Sequence, residues 1–232
     1  MWDSFFFIGL PYITGVLFFG GTIYRSFSGA MSGHRGKWDW SARGDYLWTT
    51  RSTGFFGRRS IGPAALCLHW GIVILFFAHI AGFIGGANNL TSWVDAFRWV
   101  GLAVGMLFLY GVTWALVRRI TNQRVKAMST PDDYIILLFL ILIAGLGLYQ
   151  SAIGLVFGVS YSVGPWLVSI LRLQPDVSMI AGAPLLNKLH IIAALCFFAY
   201  FPFTKLVHVI SFPFGYATRP FISMRRYSGL KK

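Results

Sequence analysis

The stretch Ile61-Gly-Pro-Ala-Ala-Leu-Cys-Leu-His69-Trp-Gly-Ile-Val-Ile-Leu-Phe-Phe-Ala-His79-Ile-Ala-Gly82-Phe-Ile-Gly-Gly86 contains no Asp, Glu, Lys or Arg. A helix rises about 1.5 Å per residue and needs about 20 apolar residues to cross the hydrocarbon core of a bilayer, so this stretch is long enough to cross with some tilt. Its only ionisable side chains apart from Cys67 are two imidazoles, His69 and His79. Holding imidazole in lipid is costly without a partner, so a histidine there reads first as functional.

Four further runs of the same kind flank it. The spans are expected at Ser4 to Tyr24, Ile61 to Gly86, Phe97 to Val117, Tyr134 to Phe157 and Leu185 to Phe212, or 4–24, 61–86, 97–117, 134–157 and 185–212. The composition agrees: 56% of residues are hydrophobic and 12% charged, and the mean hydropathy is +0.64. The expected fold is an all-α membrane protein, a five-transmembrane-helix bundle forming a single membrane domain over residues 1–232. The spans consume most of the chain and leave no room for a soluble domain of the usual minimum of about 50 residues. The first run lacks a basic n-region, begins Met1-Trp2-Asp3 and is too long for a cleavable signal, so it is expected to be a span.

Charge supplies the orientation. Of the twenty Lys and Arg residues, only Arg98, Arg172 and Lys188 fall on one side of this topology. The positive-inside rule then puts the N-terminus outside and the C-terminus in the cytoplasm. The net charge of +13 is accounted for by topology, with no soluble basic patch to suggest nucleic-acid binding.

A second pair of histidines, His190 and His208, lies in the fifth run. With the N-terminus outside, the second helix runs outward and the fifth runs inward. His79 and His190 then share the outer level, and His69 and His208 the inner one. At about 100° per residue, His190 and His208 return to the same helix face, while His69 and His79 sit about 80° apart. Both pairs can face the interior, although the two spacings imply different rises, a gap that a kink near Pro202 could absorb. Paired imidazoles at two levels are what two bis-histidine haem irons would need, and two stacked haems would make an electron path across the membrane. A Cys-x-x-Cys-His run is missing, and Cys67 and Cys196 read as small apolar helix residues, so any haem would be b-type. A non-haem metal-ion transporter is the competing class, since imidazole also binds those ions. Such pathways commonly add carboxylates within the spans, and none of the seven Asp residues falls inside these. His34 sits in a Gly- and Arg-rich loop and reads as solvated.

These residues carry a resemblance. Ser60 to Ile72 followed by Phe77-Ala-His79-Ile-Ala-Gly82 resembles the second helix of the respiratory nitrate reductase gamma-subunit family. Leu189-His190 with Tyr200-Phe-Pro-Phe-Thr-Lys205-Leu-Val-His208-Val209 resembles its fifth helix. Arg124-Val-Lys-Ala with Thr130 and Asp132 is similar to the loop before its fourth helix, and Pro11-Tyr12-Ile13 to its opening. The resemblance implies a di-haem cytochrome b subunit of a respiratory oxidoreductase complex in a prokaryotic inner (cytoplasmic) membrane. It would pass electrons between membrane quinone or quinol on the outer side and an iron-sulfur redox subunit on the cytoplasmic side, without itself acting on the terminal substrate. It would carry two haem b groups, His79 and His190 holding the outer and His69 and His208 the inner.

The resemblance also places a basic residue near the outer haem propionate and the quinone pocket. Arg98 stands at that position, offset by about one residue, and could pair with a propionate or bond a quinone oxygen. A snorkelling interfacial arginine is the alternative. Lys188, two residues before His190, has similar standing. Glycines spaced as Gly82 and Gly86, Gly101 and Gly105, and Gly154 and Gly158 are expected at close helix contacts. The outer loop from Ser160 to Pro184, with Trp166, is expected to lie at the headgroup level. The first basic loop is longer than the nitrate reductase pattern leads one to expect. Its Ser52-Thr-Gly-Phe-Phe-Gly-Arg-Arg59 suits the docking style of heterodisulfide-reductase-like membrane cytochromes of sulfur and hydrogen metabolism, so that partner class stays open.

Overall fold

The computed structural model describes residues 2–31, 58–158, 161–207 and 209. His34, His208, the Ser52–Arg59 docking motif up to residue 57 and the tail after 209 lie outside the described residues. Among the described residues five helices are long and apolar enough to cross a membrane: Trp2–Arg25, Ile61–Ala87, Thr91–Thr121, Pro131–Phe157 and Leu185–Phe203. The corresponding α-helices are α1 (Leu10–Met31), α2 (Arg58–Ala87), α3 (Thr91–Thr121), α4 (Pro131–Phe157) and α5 (Leu185–Tyr200). A helical turn, Trp2–Ser4, and a π-turn, Phe5–Gly9, lead into α1.

The helices pack in the order α2, α3, α4, α5, α1. The α2–α3 contact is the tightest, and glycine makes it so: a Cβ at Gly111 would lie 2.7 Å from the Ala64 carbonyl oxygen and 2.7 Å from the Leu68 amide. Small residues let backbones approach where lipid offers helices no hydrophobic drive to associate. The main core joins Phe108, Val112 and Ala115 of α3, Ile136, Leu137 and Leu140 of α4, and Phe197 and Phe201. Around it Phe76, Phe77, Leu107, Leu138 and Leu142 stay exposed. An apolar surface this continuous suits lipid and would be a liability in water.

The helix ends differ from the hydropathy boundaries where local chemistry extends or breaks a helix. Residues 91–96 join the third span, where Arg98 bridges to Asp95 at 2.6 Å, three residues back on the same face. Residues 131–133 join the fourth because Pro131 occupies the first turn and the Thr130 amide donates to the Asp133 carboxylate at 2.9 Å. Gly158, at φ 67°, ends that helix in the left-handed conformation.

The fifth span, expected over 185–212 with a kink near Pro202, leaves the α-helical form after Tyr200. Phe201–Phe203 and Lys205–Val207 form 3₁₀ turns on either side of Thr204, which is extended at φ −105°, ψ 171°. Pro202 lacks an N–H and its ring crowds the preceding turn, so the ladder cannot continue. Arg25 donates to the carbonyls of Pro202 and Thr204, each at 2.6 Å. Lys205 bridges to Asp133 at 2.7 Å.

In the loop after α4, Leu171, Leu173 and Met179 are exposed, but Trp166 is not. The loop's short helices Gly164–Leu171 and Ser178–Ala181 fold against the start of the chain. Trp166 is only 3% exposed; its indole N–H donates to the Phe7 carbonyl at 3.0 Å and its ring meets Phe7 edge-on. An indole that finds both a carbonyl and an aromatic partner gains more from burial than from the interface.

Candidate functional site

Helix α2 carries His69 and His79 on one unbroken rod, so ten residues separate them by about 15 Å along its axis. Each ring is anchored within its own helix: His79 Nδ1 lies 2.6 Å from the Leu75 carbonyl and His69 Nδ1 lies 2.7 Å from the Ala65 carbonyl. His190, on α5, reaches across to α4, with Nδ1 3.1 Å from the Ile143 carbonyl. A carbonyl only accepts, so in each case Nδ1 is the protonated nitrogen. The neutral ring then presents Nε2 as a lone pair, the tautomer that binds a metal.

His79 and His190 come together. Their ring centroids are 6.3 Å apart and their planes differ by 9°. A metal atom bonded to an imidazole nitrogen on each side at about 2 Å, with the centroids about 1 Å behind those nitrogens, separates them by roughly 6 Å. The approach depends on Gly147 of α4, where a Cβ would come within 3.1 Å of His190 Cε1. His69 lies at the other level of α2; its expected partner, His208, is outside the described residues.

Beside His79 a cavity of about 160 Å³ opens to the surface. Its wall includes His79 and Phe83 of α2, Arg98 of α3, Gln150 of α4, Tyr161 of the following loop and Asn187 of α5. Gly82 and Gly101 line it too, and a Cβ there would meet nothing within 4 Å or only Ser151 Oγ at 3.9 Å. These two glycines keep the cavity open, whereas Gly86 and Gly105 sit at the close contacts expected of all four.

Arg98 is largely covered, its side chain 16% exposed, and shares its charge with Asp95. Lys188 is drawn away to Asp3 at 3.5 Å and lies over the Phe7 ring. Sequence reasoning missed Gln150, Ser151, Tyr161 and Asn187. Asn187 carried a usable signal, standing one helical turn before His190.

Among the described residues no group of three or more His, Cys, Asp or Glu side chains converges. A tetrahedral ion draws about four ligands from the protein, whereas a haem iron takes only its axial ones. The imidazole pair, the Nδ1 bonds and the glycine-lined space therefore fit a haem held by two histidines.

The architecture defines a multi-pass helical membrane protein with an imidazole pair bridging two helices, one member of which, His79, lines a cavity. By comparison with known proteins, the model of the family "Nitrate reductase gamma subunit" matches residues 3–227, and the chain belongs to that family. It is 31% identical over 242 residues to the "Respiratory nitrate reductase 2 gamma chain" of Escherichia coli (strain K12), covering 96% of each. It is 27% identical over 229 residues to the "Nitrate reductase gamma chain" of Bacillus subtilis (strain 168), covering 94% of this chain and 96% of that protein. A third relative, the "Nitrate reductase-like protein NarX" of Mycobacterium tuberculosis, is 33% identical over 208 residues, 82% of this chain and 31% of that longer protein.

Proposed function

We propose that this chain is the di-haem cytochrome b subunit of a respiratory nitrate reductase complex. In this reading it takes electrons from quinol at the outer side and delivers them to an iron-sulfur subunit at the cytoplasmic side. The observation that carries the reading is the parallel pair His79 and His190, 6.3 Å between centroids, with both Nδ1 atoms engaged by carbonyls.

His79 and His190 would hold the outer haem b, and His69 and His208 the inner. When bound, haem b supplies one-electron transfer at its iron. The protein's part is orientation: the Leu75, Ala65 and Ile143 carbonyls fix ring rotation and raise imidazole basicity. Burial of a bound haem would tune its potential; His190 is partly buried between α4 and α5, whereas His79 is exposed. Arg98, in the cavity wall, is placed to offer its remaining donors to a propionate or a quinone oxygen.

The N-terminus would face outside and the basic end, with Arg118, Arg119 and Lys205, the cytoplasm of a prokaryote. A heterodisulfide-reductase-like partner remains the second reading of the first loop, but the relatives matched along nearly their whole length are nitrate reductase gamma chains. A reduced-minus-oxidised spectrum of the purified subunit tests the proposal: two b-type components are expected, one disappearing in His79→Ala. A protein without b-type bands would refute it.

A further inference from the structure

The loop segment from Tyr161 to Gly164 is pressed onto the end of α2. A Cβ at Gly164 would lie 2.3 Å from the Ala87 amide, and one at Gly86 would lie 2.2 Å from Ser162 Oγ. Both backbones approach as closely as glycine allows, so the loop is fixed about two turns beyond His79. Tyr161 is thereby built into the same cavity wall as His79 and Arg98.

The Tyr161 hydroxyl is enclosed from solvent and has no hydrogen-bond partner among the described residues. A buried hydroxyl without a partner is destabilising, and native proteins keep few such groups. Burial also pushes the phenol above its ordinary pKa, so at neutral pH it stays a donor.

The rest of the lining narrows the partner's chemistry. Gln150, Ser151, Ser162 and Asn187 are neutral. The one cation, Arg98, is already bridged to Asp95. Neutral donors and acceptors around a largely compensated charge suit the oxygens of a neutral ring better than a second carboxylate.

We propose that Tyr161 contacts the quinone substrate, its phenol donating a hydrogen bond to a ring oxygen of quinone or quinol in the cavity beside His79. This rests on the reading of the chain as a quinol-linked cytochrome b, and it adds a substrate contact from the loop after α4.

Tyr161→Phe in the assembled complex removes the hydroxyl and keeps the ring. Equilibrium binding of radiolabelled menadione should weaken about 3- to 10-fold, the loss of one neutral hydrogen bond. Haem content and both haem midpoint potentials should stay as in wild type. Without quinone the variant should melt no lower than wild type, because it loses an unsatisfied hydroxyl, but quinone should stabilise it less. Menadione affinity within twofold of wild type would overturn the proposal, as would a shifted outer-haem potential with unchanged affinity, which would assign the phenol to a propionate. Wild-type complex lacking b-type bands would instead remove the underlying function, so the two failures are told apart.

Discussion

At the scale of single residues, the imidazole pair depends as much on what is absent from α4 as on the histidines. Gly147 has no Cβ, and one placed there would press to 3.1 Å from His190 Cε1. Gly147→Val should turn the ring away from the Ile143 carbonyl and from His79. The expected result is a shifted or lost b-type band for the outer haem, with the other component retained, read by low-temperature difference spectra. Gly82→Ala is the matching control for space without contact: its Cβ meets nothing within 4 Å, so haem content and melting should hold while the cavity narrows. The histidines themselves were legible because polar atoms in apolar runs stand out in sequence. Gly147 was not, because its value comes from a ring on another helix.

At the scale of elements, the break in the fifth span is fastened by charges that local patterns cannot pair. Lys205 and Asp133 are 72 residues apart, with side chains 11% and 4% exposed, and they meet at 2.7 Å. Arg119 approaches the same carboxylate at 3.6 Å, and Lys205 also donates to Thr130 Oγ1 at 3.2 Å. Tyr200 donates to Asp132 nearby. Removing one partner of a buried pair strands the other charge and costs about 3–5 kcal/mol, whereas replacing both with apolar groups is often neutral. Lys205→Met should therefore lower the thermal midpoint of the purified subunit markedly, and Lys205→Met with Asp133→Leu should recover part of the loss. Losses of Lys205→Met and Asp133→Leu that simply add in the double variant would show that the pair contributes no coupling. Hydropathy located all five spans because about 20 apolar residues leave an unmistakable signal. It did not mark the break within the fifth span because Phe201, Phe203, Leu206 and Val207 stay apolar through it. Only Pro202 betrayed it.

At the scale of the whole molecule, the five-span topology separates two environments that the proposed function needs apart. The His79–His190 pair and its cavity share one end with Asp3, Lys188 and the buried loop of Trp166. Arg25, Arg119, Asp133 and Lys205 gather at the other. His69 stands between them on α2, about 15 Å from His79 by helical rise. If electrons enter from quinol at the first end and leave at the second, the two histidine levels act in series. His79→Ala should then lower quinol-driven reduction of the remaining haem at least about 100-fold, while dithionite still reduces it fully. A stopped-flow trace with menadiol, followed by dithionite addition, measures both quantities on one sample. Unimpaired quinol reduction in that variant would mean that quinol reaches the inner level directly. The ordered path from outer pair to inner pair would then be wrong even though the fold, the family and the remaining haem stood unchanged.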